Sequence, residues 1–147
     1  MVIRPATEAD VETLFDIRTD VRENHMTREA LASIGVTPEN VARMLRTDSG
    51  GWLAEVDGRP VAFSMADGTR GTVFALFVRR EYEGRGLGRA LLAETAAWLF
   101  ARGCDEVWLT TGADAPGANA FYRRVGWRYD GVAENGDIRY TLRRPAE

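Results

Sequence analysis

The chain has 147 residues, 45% of them hydrophobic, which suits one domain (residues 1–147) with an ordinary core. A formal charge of −3 argues against a nucleic-acid partner, and no apolar run approaches the roughly 18 residues of a membrane helix. The single cysteine, Cys104, excludes an internal disulfide and a cysteine-based metal site. All 19 basic residues are Arg. Without Lys, a Walker-type phosphate loop and Schiff-base chemistry both fall away. The N-terminal MVIRPATEAD turns polar at once, unlike a signal peptide, so the expectation is a cytoplasmic protein without a metal.

Val2-Ile3-Arg4 reads as a short strand. Thr7, with Asp10 three residues on, resembles a capping box opening a helix from about 8 to 22, with Val11, Leu14, Phe15 and Ile17 at helical spacing. Glu23 to Val36 is less regular. Thr37-Pro38-Glu39 is an N-cap followed by an N1 proline, predicting a helix to about Leu45. Trp52–Val56, Asp57-Gly58 and Pro60–Ala66 read as a hairpin, since Asp-Gly supplies the positive φ of a tight turn. A turn at 68–71 leads to a strand over Thr72–Val78. Arg89–Arg102 is a helix ended by Gly103, Glu106–Thr111 a strand, Ala115–Val125 a helix, and Ile138–Leu142 a last strand. The fold class is α/β (α+β) with a mixed sheet.

The strand, glycine loop and helix over residues 76–92 (LFVRREYEGRGLGRALL) carry the chemistry. Unpaired amides at a positive helix end bind anions, and Gly84, Gly86 and Gly88 remove side chains that would keep a diphosphate away. Arg79, Arg80, Arg85 and Arg89 add guanidinium forks suited to phosphate oxygens. A dinucleotide fingerprint would need Gly at position 89, where Arg stands, and would place the loop near the first strand rather than after the fourth.

V-R-R-E-Y-E-G-R-G-L-G-R-A-L-L resembles motif A of the GCN5-related N-acetyltransferases, and A-N-A-F-Y-R-R-V-G-W (Ala118–Trp127) resembles a second signature of that family. The resemblance implies one GNAT-like domain: a mixed, mostly antiparallel sheet of six to seven strands flanked by about four helices. It implies acetyl-CoA as co-substrate. The backbone of Leu76, Phe77 and Val78 would hold the pantetheine arm, and the amides of Gly84, Arg85, Gly86, Leu87, Gly88 and Arg89 the pyrophosphate. It implies Tyr122 as general acid to the CoA sulfur, a role that a phenol protonated at neutral pH can fill.

This sequence departs from the family pattern in places. Glu83 stands where Gln or Arg is usual. Ala115 replaces an Asn, for which Asn119, on the same helical face, is the substitute candidate. The strand TVFALFV lacks the Glu that often serves as base. His25, the sole histidine, and Glu23 are the base candidates, with Asp67 and an ordered water as alternatives. An amine acceptor is the implied partner, a homodimer is open, and a catalytically silent CoA-binding sensor is the alternative reading. Glu23, Glu29 and Asp67 are candidates to attract a cationic acceptor.

Overall fold

The computed structural model describes residues 1–146. Its strands are β1 (Val2–Pro5), β2 (Ser49–Val56), β3 (Arg59–Asp67), β4 (Thr72–Val78), β5 (Glu106–Thr111), β6 (Arg128–Val132) and β7 (Ile138–Arg143). The helices are α1 (Val11–Arg18), α2 (Arg28–Ser33), α3 (Pro38–Arg46), α4 (Leu87–Ala101) and α5 (Pro116–Arg124). The strands form one sheet in the order β1-β2-β3-β4-β5-β7-β6. All neighbours are antiparallel except β4 and β5. Asp57 and Gly58 both take positive φ, as the hairpin between β2 and β3 requires.

The central strands are buried on both faces, so they read as nearly continuous apolar runs. Side chains alternate between two cores. Trp52, Ala54 and Ala62 point towards α4, where Leu91, Leu92, Ala96 and Leu99 meet them. Leu53, Phe63 and Met65 point the other way, onto Leu14, Phe15, Ile17, Leu31 and Val41 of the first three helices. A buried hydrogen bond of 2.6 Å between the Ser64 and Thr95 hydroxyls fixes α4 against β3.

Two sequence expectations need correction. The first helix ends at Arg18 rather than near residue 22, because the Thr19 hydroxyl donates to the Phe15 carbonyl (2.9 Å) and the chain turns. The irregular stretch contains α2, capped by Thr27, whose hydroxyl accepts the Ala30 amide (3.1 Å). The helices therefore number five among the described residues.

At the start of α1, Asp10 accepts the Thr7 amide (2.8 Å) and both terminal nitrogens of Arg4 (2.9 Å each). The Arg4 fork holds the Asp10 carboxyl down at a pKa of about 2. A carboxylate with a depressed folded-state pKa stabilises the fold above its unfolded value near 4 and loses that contribution as pH falls through about 2. Asp10→Asn should therefore melt below the wild type at pH 7, and the gap should close towards pH 2 in a series of thermal melts. A gap that does not change with pH would remove this assignment.

Candidate functional site

Strands β4 and β5 register at one pair, Thr72↔Trp108, and then diverge. The register between β3 and β4 shows why. Met65 faces Ala75 and Ala66 faces Val73, so Phe74 is an extra residue on β4. A bulge bends its strand and raises its twist, here away from β5. From Phe74 onward the β5-facing edge of β4 has no strand partner among the described residues. A cleft of about 1060 Å³ opens along it. Leu76, Phe77 and Val78 line one wall; Thr111, Ala118 and Tyr122 line the other.

The cleft runs to the first turn of α4. Gly86 is the N-cap in the left-handed conformation (φ 83°), and no side chain caps this end. The Leu87, Gly88 and Arg89 amides, the first three of the helix, thus keep free N–H groups. No acidic residue occupies the first turn, whereas α1, α2 and α3 each carry a Glu there. A Cβ on Gly84 or Gly86 would meet nothing within 4 Å among the described residues, so the space above both stays open. The positive potential of the helix end faces that space. Of the four arginines near the loop, Arg89 borders the cleft. Arg79 and Arg80 pair with Asp20 (3.3 and 3.6 Å), and Arg85 lies over the Tyr82 ring (4.8 Å).

Residues 21–26 cross the mouth of the cleft. Arg22 pairs with Glu83 (3.3 Å). The Glu23 carboxylate accepts the Gly117 and Ala118 amides (2.8 and 2.9 Å), so it caps α5. A Cβ on Gly117 would stand 3.0 Å from that carboxylate, which explains the glycine. Asn24, with φ 56°, reaches Thr111. Its Oδ1 would lie 2.6 Å from a Cβ on Gly112, so a larger residue at 112 would displace this tie. His25 is exposed at the cleft rim.

Tyr122 is buried, 7% exposed, with its ring 5.6 Å from Tyr140 and 5.3 Å from Phe121. Its hydroxyl has no hydrogen-bond partner among the described residues, yet the side chain borders the cleft. Burial, and secondarily the neighbouring Tyr140 phenol, push its pKa above the usual value near 10. The phenol stays protonated throughout the neutral range.

The cleft gathers His25, Glu23, Tyr122, the Leu76–Val78 edge, Gly84 and residues 86–89. Asn119 does not border it. Its side-chain amide donates to Gly112 O (3.0 Å) and Ala115 O (2.8 Å), and accepts from the Tyr140 hydroxyl (2.7 Å). Arg85 does not border it either. Asp67 accepts the Thr69 and Arg70 amides at a turn, outside the cleft. Sequence reasoning missed Arg18, which stands on the apolar face of α1 next to Leu14 and Phe15 and borders the cleft. An arginine at helical spacing among core residues was the available signal. No group of three or more His, Cys, Asp or Glu residues suited to a metal occurs among the described residues. No helix there is long and apolar enough to cross a membrane.

Known proteins share this fold. PaiA N-acetyltransferase from Thermoplasma acidophilum, solved with coenzyme A, is similar at 17% identity with a TM-score of 0.83, covering 97% of this chain and 98% of that one. A ribosomal-protein-alanine N-acetyltransferase from Brucella melitensis has 23% identity and a TM-score of 0.77, covering 98% and 100%. An acetyltransferase from Thermus thermophilus has 24% identity and a TM-score of 0.68, covering 98% of each chain. These likenesses concern the fold. The sequence pattern of the Acetyltransferase (GNAT) family matches residues 12–127, and this chain belongs to that family.

Proposed function

We propose that the protein is an N-acetyltransferase that moves the acetyl group of acetyl-CoA to a primary amine by direct attack in a ternary complex. The observation that carries this reading is the continuity of the unpaired β4 edge with the free amides of α4, facing the Tyr122 phenol. The residues present fit acetyl-CoA. Residues 84–89 offer an anion cradle at a helix end, and the β4 edge offers backbone partners for an amide-bearing arm. Bound there, acetyl-CoA supplies the activated acetyl thioester.

The chain's own groups then have defined tasks. The Val78 amide, on the open edge of β4, polarises the carbonyl oxygen as negative charge develops on it; the Phe77 amide is turned the other way, into the ladder with Phe63 of β3. Tyr122 donates the proton that the departing sulfur needs. His25, exposed at the rim, accepts a proton from the incoming amine through water. Glu23 is the weaker base candidate, because both its oxygens already accept amide hydrogens from α5.

Two features favour a second reading, a CoA-binding sensor without turnover. No ionisable side chain occurs on β4, and Glu23 is engaged as a cap. Calorimetric titration with CoA, followed by thiol release from acetyl-CoA over a panel of amines, separates the two. Saturable binding with amine-dependent thiol release is the expected result. Binding without release for any amine would leave the sensor; no CoA binding would remove both.

A further inference from the structure

A second cavity, of about 380 Å³, lies between α1, α3 and β4 and shares Arg18, Met26, Ile34, Phe74, Ala75 and Phe77 with the cleft. Its only polar side chains are Arg18 and Asn40. Asn40 is engaged at both ends of its amide, donating to Gly35 O (2.8 Å) and accepting from Arg43 (2.6 Å). Arg18 is different. Its guanidinium lies 4.1 Å over the Phe77 ring, and no carboxylate pairs with it among the described residues. Its Nη1 is buried and lacks any hydrogen-bond partner there. Burial also pushes its pKa below the usual value.

A half-buried cation without a counter-charge carries a desolvation cost that its contact with the Phe77 ring offsets only in part. A planar guanidinium is matched by a carboxylate. The carboxylates bordering the cleft each already have a partner. Glu23 holds the α5 amides, Glu83 pairs with Arg22, and Asp137 accepts from Asn135. Glu29, offered by the sequence, does not border either cavity. Phe74 and Ile34 are exposed large hydrophobics at the shared rim, 40% and 65% accessible.

We propose that the acceptor is a free α-amino acid with a medium apolar side chain. Its carboxylate pairs with Arg18, its side chain fills the cavity between α1, α3 and β4, and its amine points to the Phe77–Val78 edge. This inference rests on the acetyl-transfer reading. The amine nitrogen bonds to the acetyl carbonyl carbon while the carbon–sulfur bond breaks. Tyr122 protonates the sulfur and is reprotonated from water, which carries away the proton lost by nitrogen. One proton passes, net, from nitrogen to sulfur.

Thiol release at saturating acetyl-CoA with L-leucine, L-leucinamide, glycine and spermidine tests this. Leucine should exceed leucinamide about 10- to 100-fold in kcat/KM, the scale of one charge-assisted contact, and exceed glycine about 10-fold. Arg18→Gln should draw the leucine-to-leucinamide ratio towards one, chiefly through KM for leucine. Wild-type turnover of leucinamide or spermidine equal to that of leucine would overturn the proposal, whether or not the variant folds. Leucine binding to the protein–CoA complex gives a second readout. Binding abolished in Arg18→Gln supports the proposal, and no binding to the wild type overturns it. Thiol release with spermidine alone would sink the amino-acid acceptor while leaving acetyl transfer standing. CoA binding without release for any amine would sink acetyl transfer itself.

Discussion

Tyr122→Phe is expected to lower amine-dependent thiol release by about 100-fold while the melting temperature stays within a few degrees of wild type. The two halves of this expectation have separate causes. Under the acetyl-transfer reading, the phenol is the proton source for a thiolate that otherwise leaves unprotonated. General-acid help of that kind is worth about 10²–10⁴. Stability is spared because the hydroxyl makes no hydrogen bond that Phe would lose, and the ring keeps its contacts with Phe121, Trp127 and Tyr140. The pH dependence adds a check. Since burial raises the Tyr122 pKa, the wild-type rate should show no fall from phenol ionisation between about pH 8 and pH 10. Unchanged thiol release in the variant would assign the proton to water and leave Tyr122 as packing.

Leu91→Ala and Leu99→Ala should each cost about 3 kcal/mol, a fall in melting temperature of roughly 10 °C. Both side chains are fully buried in the core between α4 and the sheet, so each truncation loses transfer energy and leaves a cavity. They differ in position. Leu91 stands one turn from the uncapped amides of Leu87 to Arg89, whereas Leu99 lies near the far end of the helix. Under the acetyl-transfer reading, only Leu91→Ala should raise KM for acetyl-CoA, because only it loosens the turn that would carry the anion cradle. Equal KM values in the two variants, at matched loss of stability, would separate the cradle from the packing of α4.

Local signals made much of this molecule legible. Thr37-Pro38 announced α3, Asp57-Gly58 announced the hairpin, and the glycines at 84 and 86 marked an uncapped helix end. Each is a rule about residues a few positions apart. What the sequence leaves out has the opposite property. The capping of α5 by Glu23 depends on amides 94 and 95 residues away. Asn119 was placed by helical spacing, yet its side chain is claimed by Gly112, Ala115 and Tyr140. Arg18 is hidden by the apolar pattern of α1, and its lack of a counter-charge exists only in three dimensions. The short helix α2 escaped because only Leu31 among its residues is buried, too little for a periodic signal.

The divergence of β4 from β5 leaves the sheet nearly in two leaves. One strand pair hinges them, a single core under α4 runs beneath both, and across the gap they are joined by the crossing at residues 21–26. A nucleotide-bearing ligand lying in the gap would touch both leaves, and so would act as mortar between them. Its binding energy would then enter the folding equilibrium directly, by mass action. For a chain built this way, a ligand present well above its Kd would raise the melting temperature as well as fill the cleft.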